Sequence, residues 1–139
     1  MSTFIDSGIF VAFHNMRDEN HDRALNLIRK AASGEFGIVY TSDYVFDESV
    51  TTALIRTNNP SIAQSLGEMI LGGPKTPTFI IMLKVDSEIF KKSWELFVKY
   101  AEKGLSFTDC TSIMLIKSRG IDSIISFDSD FDGLVPRIY

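Results

Sequence analysis

Ser123-Ile124-Ile125-Ser126-Phe127-Asp128 reads as a short buried strand that runs directly into an acid. Isoleucine and phenylalanine suit a pleated, buried element, and the run is too short for a helix of ordinary length. The same pattern opens the chain, where Thr3 to Ile5 form a strand that ends at Asp6. Between these two lie Ile38 to Thr41 (IVYT) and Thr78 to Leu83 as further strands, and Val135 to Ile138 is a candidate for a last short one.

Helical patterns fill the intervals. Gly8 to Phe13 makes a first helical turn or two, and Asn20 to Ala32 carries Ala24, Leu27, Ile28 and Ala31 on one face before Gly34 stops it. Ser42 or Asp43 caps a helix over Tyr44 to Arg56, and Asn58, Asn59 and Pro60 separate it from another over Ser61 to Ile70. Asp86 caps a helix with Phe90, Trp94, Phe97, Val98 and Ala101 on one face, followed by Gly104. A last helix covers Thr108 to Ser118. Strands that alternate with helices imply an α/β fold of three layers, a parallel sheet between helices. Residues 1–139 have the length of a single domain, and the turn-rich Leu71 to Pro77 reads as a surface loop.

In such folds, sites form at the carboxyl ends of the strands, often beside helix N-termini. Asp6 and Asp128 directly follow strands, Asp130 comes two residues later, and Asp109 opens a helix. Taken alone, Asp109 reads better as the acidic member of a capping box, Ser106-Phe107-Thr108-Asp109. Glu48 lies inside the helix after the second strand, and spacing alone does not choose between it and Asp47. The run Asp128-Ser129-Asp130-Phe131-Asp132-Gly133 begins like a calcium loop, but its twelfth position is Tyr139 where a bidentate glutamate is required.

Phe4-Ile5-Asp6-Ser7-Gly8, the stretch Thr41 to Glu48, Leu105-Ser106-Phe107-Thr108-Asp109, and Ile125 to Phe131 together resemble the PIN-domain nucleases, particularly the VapC-like toxins. Order and spacing match along the whole chain. The resemblance implies a PIN domain over residues 1–139 with a five-stranded parallel sheet. It assigns the catalytic acids to Asp6, Glu48, Asp109 and Asp128, and Asp130 to a more variable acid. It also implies an RNA substrate, Mg²⁺ or Mn²⁺ as cofactor, a homodimer formed through the early helices, and a small antitoxin partner. On that reading Asp6 and Asp109 are the principal metal ligands. Glu48 and Asp128 hold a second ion or orient and deprotonate water, Asp130 stands in an outer shell, and the Ser7 hydroxyl contacts the site.

The chemistry fits these residue types. Two carboxylates about 4 Å apart repel by about 4 kcal/mol at an effective dielectric of 20, so a cluster of four or five calls for cations or protonates. A hard divalent ion takes carboxylate oxygens and keeps water, one molecule of which becomes a nucleophile. The net charge of −4 argues against tight nucleic-acid binding. Setting aside the five site acids leaves 13 acids against 14 Lys and Arg, a near-neutral surface suited to weak, metal-assisted binding. The lysines at 91, 92, 99, 103 and 117 and Arg119 read as solvated, some of them able to guide phosphate, and Trp94 with its neighbours reads as core.

Other classes fit less well. A phosphoryl-accepting signalling domain carries an acidic pair after its first strand, where this chain has Ser7 and Gly8 after Asp6; a haloacid-dehalogenase-like phosphatase needs a second acid where Gly8 stands. His14 and His21 have no metal spacing to the single cysteine, Cys110, which reads as a buried helix thiol. Within the family, a housekeeping RNA-processing nuclease and a catalytically silent scaffold are the alternatives to a toxin. The start of the chain has no signal-peptide pattern and its apolar runs are short, so a cytoplasmic protein is expected.

Overall fold

The computed structural model describes residues 1–139. Five strands form one sheet: β1 (Ser2–Ile5), β2 (Ile38–Ser42), β3 (Ile80–Leu83), β4 (Ser123–Ile125) and β5 (Arg137–Ile138). Their order is β3-β2-β1-β4-β5, and every neighbouring pair is parallel. Six helices connect them: α1 (Ser7–His14), α2 (His21–Ala32), α3 (Asp43–Thr57), α4 (Pro60–Leu71), α5 (Ser87–Lys99) and α6 (Phe107–Arg119). The expected α/β architecture with a five-stranded parallel sheet is therefore present. No helix is long and apolar enough to cross a membrane.

Burial of the central strands shows that both faces of the sheet are covered. Side chains alternate between faces along a strand, yet Thr3, Phe4 and Ile5 are all fully buried, as are Ile124, Ile125 and Ser126. Phe4, Ile9, Phe10, Ile113 and Ile124 belong to one continuous core.

The chain leaves β1 for β2 on one side and later fills β4 on the other, so strand order reverses between β1 and β4. In open parallel sheets this switch point opens a crevice at the strands' carboxyl ends. Helix starts are also fixed there. The Ser42 side chain accepts from the Val45 N–H at the head of α3, and the Thr41 hydroxyl donates to the Ile5 carbonyl, tying the end of β2 to the end of β1. Asp43 accepts from the Val85 N–H, which binds the chain beyond β3 to the same edge. Asp86 caps α5, and Ser106 with Asp109 forms a reciprocal capping box on α6.

Two expectations are corrected. The last apolar run is strand only as far as Ile125; Ser126 and Phe127 already turn away, so Asp128 stands three residues past β4. The aromatic stripe of α5 meets the core only at Phe97, which packs half-buried against it. Phe90, Trp94 and Val98 are 49%, 56% and 58% exposed, while Ile89 and Ser93 are the buried positions. Ser93 tolerates burial because its hydroxyl donates to the Ile89 carbonyl, so the helix meets α6 through that side. On the early helices, Ile9, Phe10, Val11 and Ala12 of α1 and Ala24, Leu27, Ile28 and Ala31 of α2 are buried within the chain, while Leu54 and Ile55 of α3 and Leu71 of α4 are exposed.

This packing separates two aromatic truncations. Phe4→Ala should lower unfolding free energy by about 3–5 kcal/mol in urea titrations, as expected for a buried aromatic. Trp94→Ala should cost under about 1 kcal/mol. Equal losses would place Trp94 back in the core.

Candidate active site

Four chain segments meet at the carboxyl edge of the sheet and enclose a cleft of about 440 Å³ lined by Asp6, Ser7, Gly8, Glu48, Ser106, Asp109, Phe127 and Asp128. Asp6 enters from the end of β1, Glu48 from the second turn of α3, Asp109 from the first turn of α6, and Asp128 from the turn after β4. A larger recess of about 600 Å³ surrounds His14, Arg17 and Arg56, but its lining contains no acid.

Asp6 is the most constrained of these groups. Its N–H donates to the Ile125 carbonyl, which continues the β1–β4 pairing by one more hydrogen bond. Its Oδ2 accepts from the Ser126 hydroxyl at 2.7 Å. Its Oδ1 is buried and has no partner. A buried oxygen left unsatisfied is rare and asks for a function. Burial pushes the Asp6 carboxyl from 3.8 up to about 7; the Ser126 hydrogen bond opposes this, and the charges of Asp109 and Glu48 add to it.

Asp109 has two duties. Its Oδ2 accepts from the Ser106 N–H at 2.9 Å, and its own N–H donates to the Ser106 hydroxyl. The capping-box reading is thus realised in full, and the same side chain still lines the cleft. Burial raises its carboxyl pKa against those hydrogen bonds, and the charges of Glu48 and Asp128 raise it further. Glu48 faces the cleft and accepts from the Ser7 hydroxyl, whereas Asp47 is exposed and lies against Thr51.

Asp128 is exposed, but its backbone is held. Its N–H donates to the Ser126 hydroxyl at 3.0 Å, and its Oδ1 accepts from the Asp130 N–H at 2.9 Å. Asp130 is outside the cleft lining, with its Oδ2 facing Gly104. Asp132 is bound by Arg137 through two nitrogens at 2.7 and 3.0 Å, so the third acid of the calcium-like run is already engaged. Cys110 is fully buried, and burial pushes its thiol up to about 11, as an inert structural thiol requires.

Ser126 was not singled out by its sequence context. It donates to Asp6 and accepts from Asp128, so one hydroxyl sets the positions of two acids. Phe127 was read as a strand residue and instead lines the cleft, with the guanidinium of Arg23 over its ring, 5.2 Å from the centroid. No signal in the sequence pairs positions 23 and 127.

The donor set suits a hard divalent cation. Four carboxylates from four segments share one cleft, the negative charges around Asp6 and Asp109 raise the proton affinity of those two, and Asp6 keeps a free buried oxygen. The side chains are not drawn into a closed cage, since no three acidic, histidine or cysteine groups stand in ligand geometry together. Mg²⁺ retains several waters and binds through one or two carboxylates, so it needs no such cage.

Comparison with known proteins places this arrangement. A VapC ribonuclease of Archaeoglobus fulgidus is 26% identical over 132 residues, covering 94% of this chain and 80% of its own length. The 23S rRNA-specific endonuclease VapC20 of Mycobacterium tuberculosis is 24% identical over 130 residues, covering 94% and 92%. The crystal structure of VapC20, titled a sarcin-ricin loop cleaving toxin, superposes with a TM-score of 0.78 at 28% identity over 93% of this chain and 92% of that one. VapBC2 of Rickettsia felis, solved with a DNA fragment from its promoter, shares the fold at a TM-score of 0.67 and 13% identity over 99% and 98%. The PIN domain model matches residues 3–134, a span that holds every acid of the cleft, and the chain belongs to the PIN domain family.

Proposed function

We propose that the chain is a metal-dependent endoribonuclease that hydrolyses RNA phosphodiester bonds and serves as the toxin of a VapBC-type pair. The observation that carries the reading is the convergence of Asp6, Glu48, Asp109 and Asp128 on one open cleft, with Asp6 buried and half-satisfied. Relatives named as a ribonuclease and as an rRNA-specific endonuclease, aligned over 94% of this chain, support the substrate class. Asp6 and Asp109 would hold Mg²⁺ or Mn²⁺, which would supply an activated water and positive charge for the phosphate.

The rest of the chemistry belongs to the chain. Ser126 and the capping box fix Asp6 and Asp109 before substrate arrives, which lowers the reorganisation needed at the reacting centre. Glu48, oriented by Ser7, and Asp128, at the open side, are placed to orient the attacking water and accept its proton. Asp130 stands outside the lining, and its backbone N–H, not its carboxylate, holds the turn that carries Asp128.

We infer two further properties. A toxin of this kind works in the cytoplasm beside a small antitoxin, whose basic side chain would complement the acidic cleft. The chain also pairs with itself, and the exposed apolar residues Phe90, Trp94 and Val98 on α5 support that contact alongside Leu54, Ile55 and Leu71 of the earlier helices.

Thorough chelation should stop cleavage of RNA, and added Mg²⁺ or Mn²⁺ should restore it. Asp6→Asn and Asp109→Asn should each abolish turnover while circular dichroism stays native. Asp128→Asn should cost at least about tenfold more activity than Asp130→Asn, roughly 1.4 kcal/mol of barrier. Activity in excess chelator, or wild-type turnover in either Asp6→Asn or Asp109→Asn, sinks the ligand assignment.

Stability gives a readout independent of activity. A carboxyl whose folded pKa is raised from 3.8 to about 7 stabilises the fold below about pH 4, and that contribution is lost as pH rises through 7. In chelator, wild-type protein should therefore melt lower than Asp6→Asn at about pH 8, with the gap closing towards pH 4. Mg²⁺ should raise the wild-type midpoint at pH 8 and leave Asp6→Asn nearly unmoved. A gap that does not change with pH would remove Asp6 as the strained group.

Light scattering at micromolar concentration should return twice the chain mass, and Trp94→Glu should halve it. A wild-type monomer would overturn the pairing.

A further inference from the structure

An acidic cleft repels the polyanion it is meant to cut, so a cation at its lip has a task that the carboxylates cannot perform. Arg23 stands in that position. Its guanidinium lies over the ring of Phe127, 5.2 Å from the centroid, and Phe127 lines the cleft next to Asp128. Arg137 has a guanidinium committed to Asp132 and to the Ser126 carbonyl, whereas Arg23 makes no ion pair and donates no hydrogen bond within the chain. Its five N–H donors are therefore free, at an exposed position.

The placement is built and not incidental. Arg23 is the third residue of α2, where the positive end of the helix dipole disfavours a cation. Stability alone would put an acid there, as the chain does at Asp22. The first turn is also anchored. The His21 ring Nδ1 is 2.9 Å from the Ala12 carbonyl, Asn20 donates to Asp18, and Ala24 is fully buried. The backbone that carries Arg23 is thereby fixed, and its guanidinium rests over the Phe127 ring. A planar fork held near one place loses less freedom when it takes a phosphate through two parallel hydrogen bonds.

We propose that Arg23 is a substrate-binding residue that grips an RNA phosphate at the lip of the cleft and so delivers the scissile phosphodiester to the carboxylates. The inference rests on the ribonuclease reading above and adds to it the group that contacts the backbone. Phe127 is the positioning residue and acts through Arg23. The contact is to phosphate, so it contributes to binding any RNA and carries no base preference of its own.

The test measures steady-state cleavage of a fluorescent single-stranded oligoribonucleotide, and its binding by anisotropy in calcium, over a range of salt concentrations. Arg23→Ala should raise KM and Kd about tenfold with kcat changed less than about threefold. It should also flatten the slope of log Kd against log salt by about 0.7, the value for one lost phosphate contact on a single strand. Arg23→Lys should recover part of the affinity and all of the slope, since it keeps the charge and loses the fork. Phe127→Leu should raise KM less than Arg23→Ala, and the double variant should match Arg23→Ala alone if the ring acts through the arginine. Melting midpoints of all variants should stay within a few degrees of wild type.

Wild-type protein that binds and cuts RNA while Arg23→Ala shows the same Kd and salt slope overturns the clamp and leaves the ribonuclease reading standing. A loss of affinity with unchanged salt slope and a lowered melting midpoint also overturns it, by making Arg23 a packing residue. Wild-type protein that neither binds nor cuts RNA in any divalent metal overturns both.

Discussion

One hydroxyl at the seam between β1 and β4 sets the geometry of the working edge. Ser126 donates to a carboxyl that the core has almost closed over, and it accepts from the backbone of the next acid along the chain. The β1–β4 pairing brings Ile5 opposite Ile125, so both partners emerge together at the point where strand order reverses. Everything that follows is arranged around this buried, half-satisfied group. Thr41 ties the second strand to it, α6 brings Asp109 within electrostatic reach, and α3 supplies Glu48. The site accepts an energetic penalty at its centre, and two fully covered sheet faces offset it.

The edge is a set of acids on rigid supports. Asp109 is held by a cap, Glu48 by a helix and a serine, and Asp128 by its N–H and by the turn it nucleates. Their charges act on one another without collapsing into a closed cage, which leaves room for solvent and for a phosphate. On the far side of the same turn, Asp132 and Arg137 neutralise each other, and Arg137 lies over the Tyr139 ring at 3.9 Å. The last strand is thus fastened by charge and stacking, and no acid from this segment is spare for a calcium loop.

Much of this edge was legible in the sequence because the acids follow apolar runs, and the end of a buried run is the end of a strand. The end of β1 puts Asp6 at the sheet's carboxyl edge on that ground alone. Glu48 is not separable from Asp47 by periodicity, because the one buried stripe of α3, Val45, Ser49 and Ala53, includes a serine, and the apolar Leu54 and Ile55 lie exposed. The resemblance to a family supplied what the pattern lacked. Trp94 lies outside the core for a related reason. The helix α5 carries apolar residues around much of its surface, and its inward side is chosen by the fit against α6 through Ile89 and Ser93. A serine in a core position gives no apolar signal. The pairs that matter most for Asp6 and Arg23 are separated by 120 and 104 residues, and nothing local announces them.

The double duty of Asp109 sets the order in which a copy of this gene would decay. A chain released from selection for its chemistry is still selected to fold. Asp6 then becomes a liability, because a neutral residue in its place relieves an unsatisfied buried charge. Asp109 does not, because its carboxylate closes the cap of α6 and its loss would loosen the helix start. Drift should therefore erase Asp6 first and keep Asp109 longest. A descendant bearing Asp109 but lacking Asp6 would be a relic of the enzyme, and the aspartate it retained would speak of helix architecture alone.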